Sequence, residues 1–168
     1  PIGNHGRIIG IVGASRIGRR LIALLKPFDF RILVFDPFLP DAEAASLGVA
    51  SVPLDDLLGQ SDVVSLHVPA LPATRHMIGA AELALIRDGA TLINTARGSV
   101  IDEAALVAAL TEQRFSAIID VTEPEVAARG SPLYELPNVF LTPHIAGSIG
   151  LERSRLGDVA VGEIERFA

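Results

Sequence analysis

Short, almost uninterrupted apolar runs recur along the chain: Arg7 to Val12, Arg31 to Phe35, Asp62 to Leu66, Ala90 to Asn94, Ser116 to Val121 and Val139 to Leu141. Runs that do not alternate apolar with polar residues mark strands buried on both faces. The stretches between them carry helical spacing, and strands alternating with helices predict a mainly parallel, doubly wound α/β sheet with helices on both faces. A short run from Val49 to Val52 adds one more candidate strand. Asp41 is placed to cap a helix over Ala42 to Leu47 that Gly48 ends. Asp102 is placed to cap another over Glu103 to Glu112, in which Ala105, Leu106, Ala109 and Leu110 make an apolar stripe. A last helix from about Leu151 sets Leu156, Ala160, Ile164 and Phe167 on one side. The longest irregular stretch, Thr122 to Asn138, is of the kind that carries function more often than it merely connects.

Composition narrows the reading. With 168 residues, 49% of them hydrophobic, the chain supports one well-packed core. A net charge of −6 and scattered basic residues exclude a nucleic-acid face or an anionic-membrane surface, both of which need clustered Lys and Arg. The absence of cysteine removes disulfides, thiolate metal sites and cysteine nucleophiles, and no metal site is expected. No apolar run approaches the roughly 18 residues of a membrane span, and Pro1 to His5 is no signal peptide, so a cytoplasmic location is expected. A proline at position 1 and a C-terminus that stops inside a helical pattern predict a piece of a longer protein.

Three constellations carry candidate chemistry. The first is Ile11 to Gly18, read IVGASRIG, which lacks only the middle glycine of a GxGxxG phosphate-binding turn because Ser15 stands there. Gly13 would make the tight turn, Gly18 would let helix and strand pack closely, and the helix N-terminus would face a pyrophosphate. Asp36 closes the second strand at the spacing of a carboxylate that accepts from ribose hydroxyls, and it would repel a 2′-phosphate, which favours NAD over NADP. As a structural residue, Asp36 would instead fix the turn before Pro37. The second constellation is Asn94 to Gly98, where Arg97 follows directly on a strand. By itself Arg97 reads equally as a bidentate grip on a carboxylate or as a surface ion pair. The third is His144, just past a short strand, with Glu125 in the long loop before it. If the two meet, the carboxylate favours the imidazolium and fixes its tautomer, which makes a proton donor and acceptor for a carbonyl/alcohol pair. His5, His67 and His76 read as structural.

Taken together, Gly13 to Gly18, Asp36, Ser65 to Pro69, Asn94 to Gly98, Asp120 to Glu125 and Thr142 to Gly147 resemble the nucleotide-binding domain of the D-isomer-specific 2-hydroxyacid dehydrogenases. The resemblance covers nearly the whole chain and is specific because several motifs fall in order. It implies a Rossmann-type NAD-binding domain over residues 1–168, with a split substrate domain expected on both flanks and absent here. It implies that Arg97 orients the carboxylate and carbonyl of a small 2-hydroxy or 2-keto acid, that His144 exchanges the proton, and that Glu125 supports it. A glutamate at position 125 argues against the similar formate-oxidising branch, which has glutamine there. The cofactor-binding positions it implies are Gly13, Ser15, Arg16, Ile17, Gly18, Asp36, Pro69, Thr74, Thr95, Ala96, Arg97, Asp120, His144 and Gly147, with Asp120 directed to the nicotinamide carboxamide. It also implies a homodimer through this domain. The sequence departs from the family pattern at Ser15, at Val126 in place of the usual proline, and in a segment 114–118 one residue short. A non-catalytic NAD(H)-sensing corepressor-like protein of the same family is the main alternative, and a methyltransferase, which gives no reason for Arg97, Glu125 and His144, is a distant one.

Overall fold

The apolar runs are the strands of one sheet in a computed structural model that describes residues 3–147 and 149–167. Pro1, Ile2 and Ala168, at the ends of the expected domain, and Ser148 lie outside the described residues. The strands are β1 (Ile8–Val12), β2 (Arg31–Phe35), β3 (Ala50–Ser51), β4 (Val63–Leu66), β5 (Thr91–Asn94), β6 (Ser116–Ile119) and β7 (Val139–Leu141). Their order is β3-β2-β1-β4-β5-β6-β7, and each pairing is parallel. The helices are α1 (Arg16–Leu25), α2 (Asp41–Leu47), α3 (Leu54–Gln60), α4 (Ala80–Leu85), α5 (Glu103–Thr111) and α6 (Leu151–Phe167). From β1 the chain winds outward to β2 and β3, then returns to add β4 on the other side of β1. That reversal opens a crevice at the carboxyl ends of β1 and β4, where such sheets bind ligands.

Each face of the sheet has its own core. Ile9, Ile11, Ile32 and Val34 pack with Ile22 of α1 and Ala44 of α2. On the other face Val12, Leu33, Val64, Leu66, Leu92 and Ile119 pack with Leu57 and Leu58 of α3, Leu83 of α4, and Leu106 and Leu110 of α5. Each fully buried side chain of this size contributes roughly 1.5–3 kcal/mol. Gly10 lets α3 lie directly on β1, because a β-carbon there would fall 2.5 Å from Leu57 Cδ2. Val34, Ile11, Ser65, Ile93, Ile118 and Phe140 are in register across the sheet. This row is buried under α1 and α2 at its start and emerges at β7, where Phe140 is 65% exposed.

Several expected boundaries move. The strands predicted from Arg7, Asp62 and Ala90 begin one residue later. β6 stops at Ile119 rather than Val121, because the Asp120 carboxylate accepts hydrogen bonds from the segment after β7. Asp41 does not cap α2: Pro40 is the N-cap, its carbonyl accepting from Glu43 and Ala44, and Asp41 lies in the first turn, where a negative charge suits the helix dipole. Gly48 ends α2 as expected, in the left-handed region at φ 73°. Asp102 caps α5, its Oδ1 accepting from Ala105 N at 3.1 Å, and α5 ends at Thr111, one residue short of the expected end. The expected last helix is present as α6, but its apolar stripe is uncovered and none of its described residues is buried.

Candidate functional site

The predicted site residues gather at the carboxyl ends of the strands. At the end of β1, Gly13 adopts φ +99°, a conformation open to glycine and strained for other residues. A β-carbon on it would meet the His67 backbone at 3.0 Å and Val68 Cγ1 at 2.9 Å. A β-carbon on Gly18 would fall 2.1 Å from the Gly13 carbonyl oxygen, so both glycines are required for α1 to start where it does. Ser15 fits between them. Its backbone, at φ −64° and ψ 178°, is ordinary extended chain, and its Oγ accepts from Gly18 N at 3.4 Å as the N-cap of α1. The serine in place of the middle glycine is a helix cap. Arg16 and Ile17 are exposed in the first turn, where helix amides have no intrahelical acceptor. Asp36 lies opposite, Oδ2 accepting from Ala14 N at 2.7 Å and Oδ1 from Phe38 N at 2.8 Å. The turn role and the ribose role are compatible, since a carboxylate has about four acceptor positions and two are used.

At the end of β5, Asn94 is 1% exposed and fastens the next turn. Its Oδ1 accepts from Ala96 N and its Nδ2 donates to the Arg97 carbonyl, both at 3.0 Å. Thr95 and Ala96 are thereby held half-buried at the strand end, while the Arg97 side chain is exposed, its Nη1 donating to the Ala96 carbonyl at 2.6 Å. Gly98 packs against the next loop, where a β-carbon would lie 2.2 Å from Thr122 C and O.

Asp120, at the end of β6, is 3% exposed and organises the segment bearing His144. Its Oδ1 accepts from Thr142 Oγ1 at 2.5 Å and from Ile145 N at 2.8 Å, and its Oδ2 accepts from Ala146 N at 2.9 Å. Burial pushes this carboxyl up, but the bonds from Thr142, Ala146 and Ile145, with the nearby His144, outweigh it and hold the group below its ordinary value. The Asp120 carbonyl accepts from His144 N at 3.0 Å, which steadies His144 in the left-handed region at φ +54°. There the imidazole Nδ1 meets Glu125 Oε1. An ionised carboxylate only accepts, so Nδ1 carries the proton of this bond. A cleft of about 560 Å³ beside the pair is lined by Asp120, Glu125, His144, Leu133, Tyr134 and Phe140.

The remaining predicted positions have more local surroundings. Thr74 Oγ1 donates to the Pro69 carbonyl at 2.6 Å and accepts from Leu71 N at 2.9 Å, closing the loop after β4. Gly147 is exposed, with nothing within 4 Å of the place a β-carbon would take. His67 Nε2 is 2.9 Å from Ser65 Oγ, and burial lowers its pKa. Sequence reasoning missed Asn94 as an organiser, and it missed an ion pair between Arg75 and Glu123 with His76 beside it. Among the described residues there is no cluster able to hold a metal ion, and no helix is long and apolar enough to cross a membrane.

Residues 2–146 match the family model described as "D-isomer specific 2-hydroxyacid dehydrogenase, NAD binding domain". The chain is 42% identical over 164 residues to a glyoxylate reductase of Korarchaeum cryptofilum, covering 97% of this chain and 49% of that protein. It is 37% identical to a D-3-phosphoglycerate dehydrogenase of Methanocaldococcus jannaschii, covering 96% and 31% respectively. Among solved structures it resembles D-lactate dehydrogenase from Aquifex aeolicus in complex with NAD and lactic acid, with a TM-score of 0.82, 34% identity, and coverage of 96% of this chain and 53% of that one. The chain thus spans about half or less of the length of these relatives.

Proposed function

Because the chain belongs to the D-isomer-specific 2-hydroxyacid dehydrogenase family through its NAD-binding domain, we propose that it is the cofactor domain of an NAD-dependent dehydrogenase that interconverts small 2-hydroxy and 2-keto acids. The observation that carries the reading is the hydrogen-bonded His144–Glu125 pair, on the segments that follow β7 and β6 at the same carboxyl end of the parallel sheet as the Arg97 turn after β5. The glycine turn suits the cofactor through the backbone it allows: β-carbons at positions 13 and 18 would clash with His67, Val68 and the Gly13 carbonyl, so glycines there let α1 begin directly at the end of β1, with its first-turn amides facing the place a pyrophosphate would take. Gly13, Ser15, Arg16, Ile17 and Gly18 would hold its pyrophosphate and Asp36 its adenosine ribose. Pro69, Thr74, Thr95, Ala96, Asp120 and Gly147 complete the proposed set of contacts. When bound, the nicotinamide ring supplies or takes the hydride.

The side chains of this domain supply orientation, charge and the proton. Arg97 grips the substrate carboxylate through two parallel hydrogen bonds and polarises the keto oxygen. Glu125, by holding the Nδ1 proton of His144, leaves Nε2 as the atom that gives the proton to the substrate oxygen in reduction and takes it back in oxidation. Homodimerisation through this domain and a cytoplasmic location belong to the same reading.

Steady-state assays of the complete polypeptide with glyoxylate, hydroxypyruvate and pyruvate, with NADH or NADPH, test it. Turnover with NADH preferred is expected, as is a narrowed preference in Asp36→Asn. Tight NADH binding with negligible turnover on all three acids would instead support the NAD(H)-sensing alternative.

A further inference from the structure

The His144–Glu125 pair lies open to solvent, its side chains 42% and 64% exposed. An exposed ion pair holds its partners only weakly, so the loop that carries Glu125 shares in setting where its carboxylate sits. That loop is fastened at Glu123. Glu123 Oε1 accepts from Arg75 Nη1 at 2.8 Å, and its Oε2 lies 3.5 Å from His76 Nε2. The Glu123 backbone N–H donates to Glu103 Oε2 at 3.3 Å, and a β-carbon on Gly98 would lie 2.7 Å from that same nitrogen. The hydrogen bond from Arg75 holds the Glu123 carboxyl below its ordinary value, consistent with a persistent charge. From within the loop, the Thr122 hydroxyl lies 2.8 Å and 3.0 Å from the carbonyl oxygens of Pro124 and Glu125. A displacement of Glu123 is therefore passed to Glu125, two residues on. The partner side is itself anchored, because His76 N donates to the Ser99 carbonyl at 2.8 Å, which ties the Arg75–His76 turn to the segment after Arg97.

We propose that the Arg75–Glu123 ion pair, with His76, is a clasp that positions Glu125 for His144, and that Arg75 is a positioning residue for the proton transfer. The proposal rests on reading His144–Glu125 as the acid–base pair. It gives work to three side chains that the chemistry above leaves unused, and it joins the loops after β4, β5 and β6 around the site. The Arg75–Glu123 pair is itself exposed, at 55% and 37%, so it shifts the loop equilibrium by at most about fivefold, while the bond from Glu123 N to Glu103 and the packing of Gly98 hold the rest of the loop.

The test uses this 168-residue chain and the ring-nitrogen NMR shifts of His144, assigned with His144→Gln. Glu125→Gln supplies the spectrum of the broken pair. If Glu125→Gln leaves the His144 ring shifts unchanged, the acid–base reading itself fails. If Glu125→Gln moves them, the clasp predicts that Arg75→Met moves them in the same direction and that Arg75→Lys, which keeps the charge, stays near the wild type. Glu123→Gln reads the same coupling from the other partner should Arg75→Met not fold. His144 signals that superimpose on the wild type in Arg75→Met, or in Glu123→Gln where that variant is used, overturn the clasp and leave the pair standing.

Discussion

Gly98 lies so close to Thr122 that a β-carbon on it would fall 2.2 Å from both the carbonyl carbon and the carbonyl oxygen. The contact presses the turn that bears Arg97 against the loop that bears Glu125, with backbone on both sides and no flexible side chain to give way. Gly98→Ala is expected to force the loops apart, at a cost of about 1–3 kcal/mol in stability. Turnover should fall with it because the two halves of the site separate. Thermal unfolding and kcat/KM of the same variant check both consequences.

Ser15 gives a graded prediction. As the N-cap of α1 it accepts from Gly18 N, so Ser15→Ala should destabilise by about 1 kcal/mol and Ser15→Gly by only a few tenths. Neither replacement obstructs the turn, and NADH affinity in Ser15→Gly should stay within about tenfold, or ~1.4 kcal/mol. Chemical denaturation and a fluorescence titration with NADH measure the two quantities separately. A gain in affinity well beyond tenfold would mean that the serine obstructs the cofactor.

Asp120 links the fold to pH. Its pKa in the folded chain lies below the ordinary 3.8, so its stabilising contribution is complete above that value and is lost as pH falls through the folded one. Asp120→Asn puts an amide where Ile145 N and Ala146 N both donate, and should cost about 1–3 kcal/mol at neutral pH. The gap between wild type and variant in urea unfolding should hold from pH 7 to about pH 5 and narrow below about pH 4. A gap that widens in acid would contradict the assignment.

The inner strands were legible because burial leaves uninterrupted apolar runs, and each of the seven candidates holds one strand of the sheet, including the exposed edge strand β3. The helices α3 and α4 were not read out: at seven and six residues they have too few turns to show a period, and they lack the opening Asp and closing Gly that bracket the equally short α2. Asp41 was misplaced as a cap because a good capping side chain stood before the apolar run, while the backbone of Pro40 already did that task. In the site, the glycine turn and Asp36 follow from local spacing. The meeting of His144 with Glu125 was conditional in the residues alone and expected only through the family resemblance. Arg75 and Glu123 stand 48 residues apart in sequence, on loops with no period, and nothing local announces their contact. The half-open face beyond Ile93 and Ile118 was equally hidden, because a strand half covered by helices carries the same apolar run as one fully covered.

In the proposed reaction His144, held by Glu125, moves the proton while Arg97 holds the acid. Initial rates of glyoxylate reduction by NADH in the complete polypeptide, wild type against His144→Asn, test it most directly. A loss of roughly 10²–10⁴-fold in kcat is expected, with NADH affinity kept within about tenfold. A His144→Asn enzyme that reduces glyoxylate as fast as the wild type would contradict it.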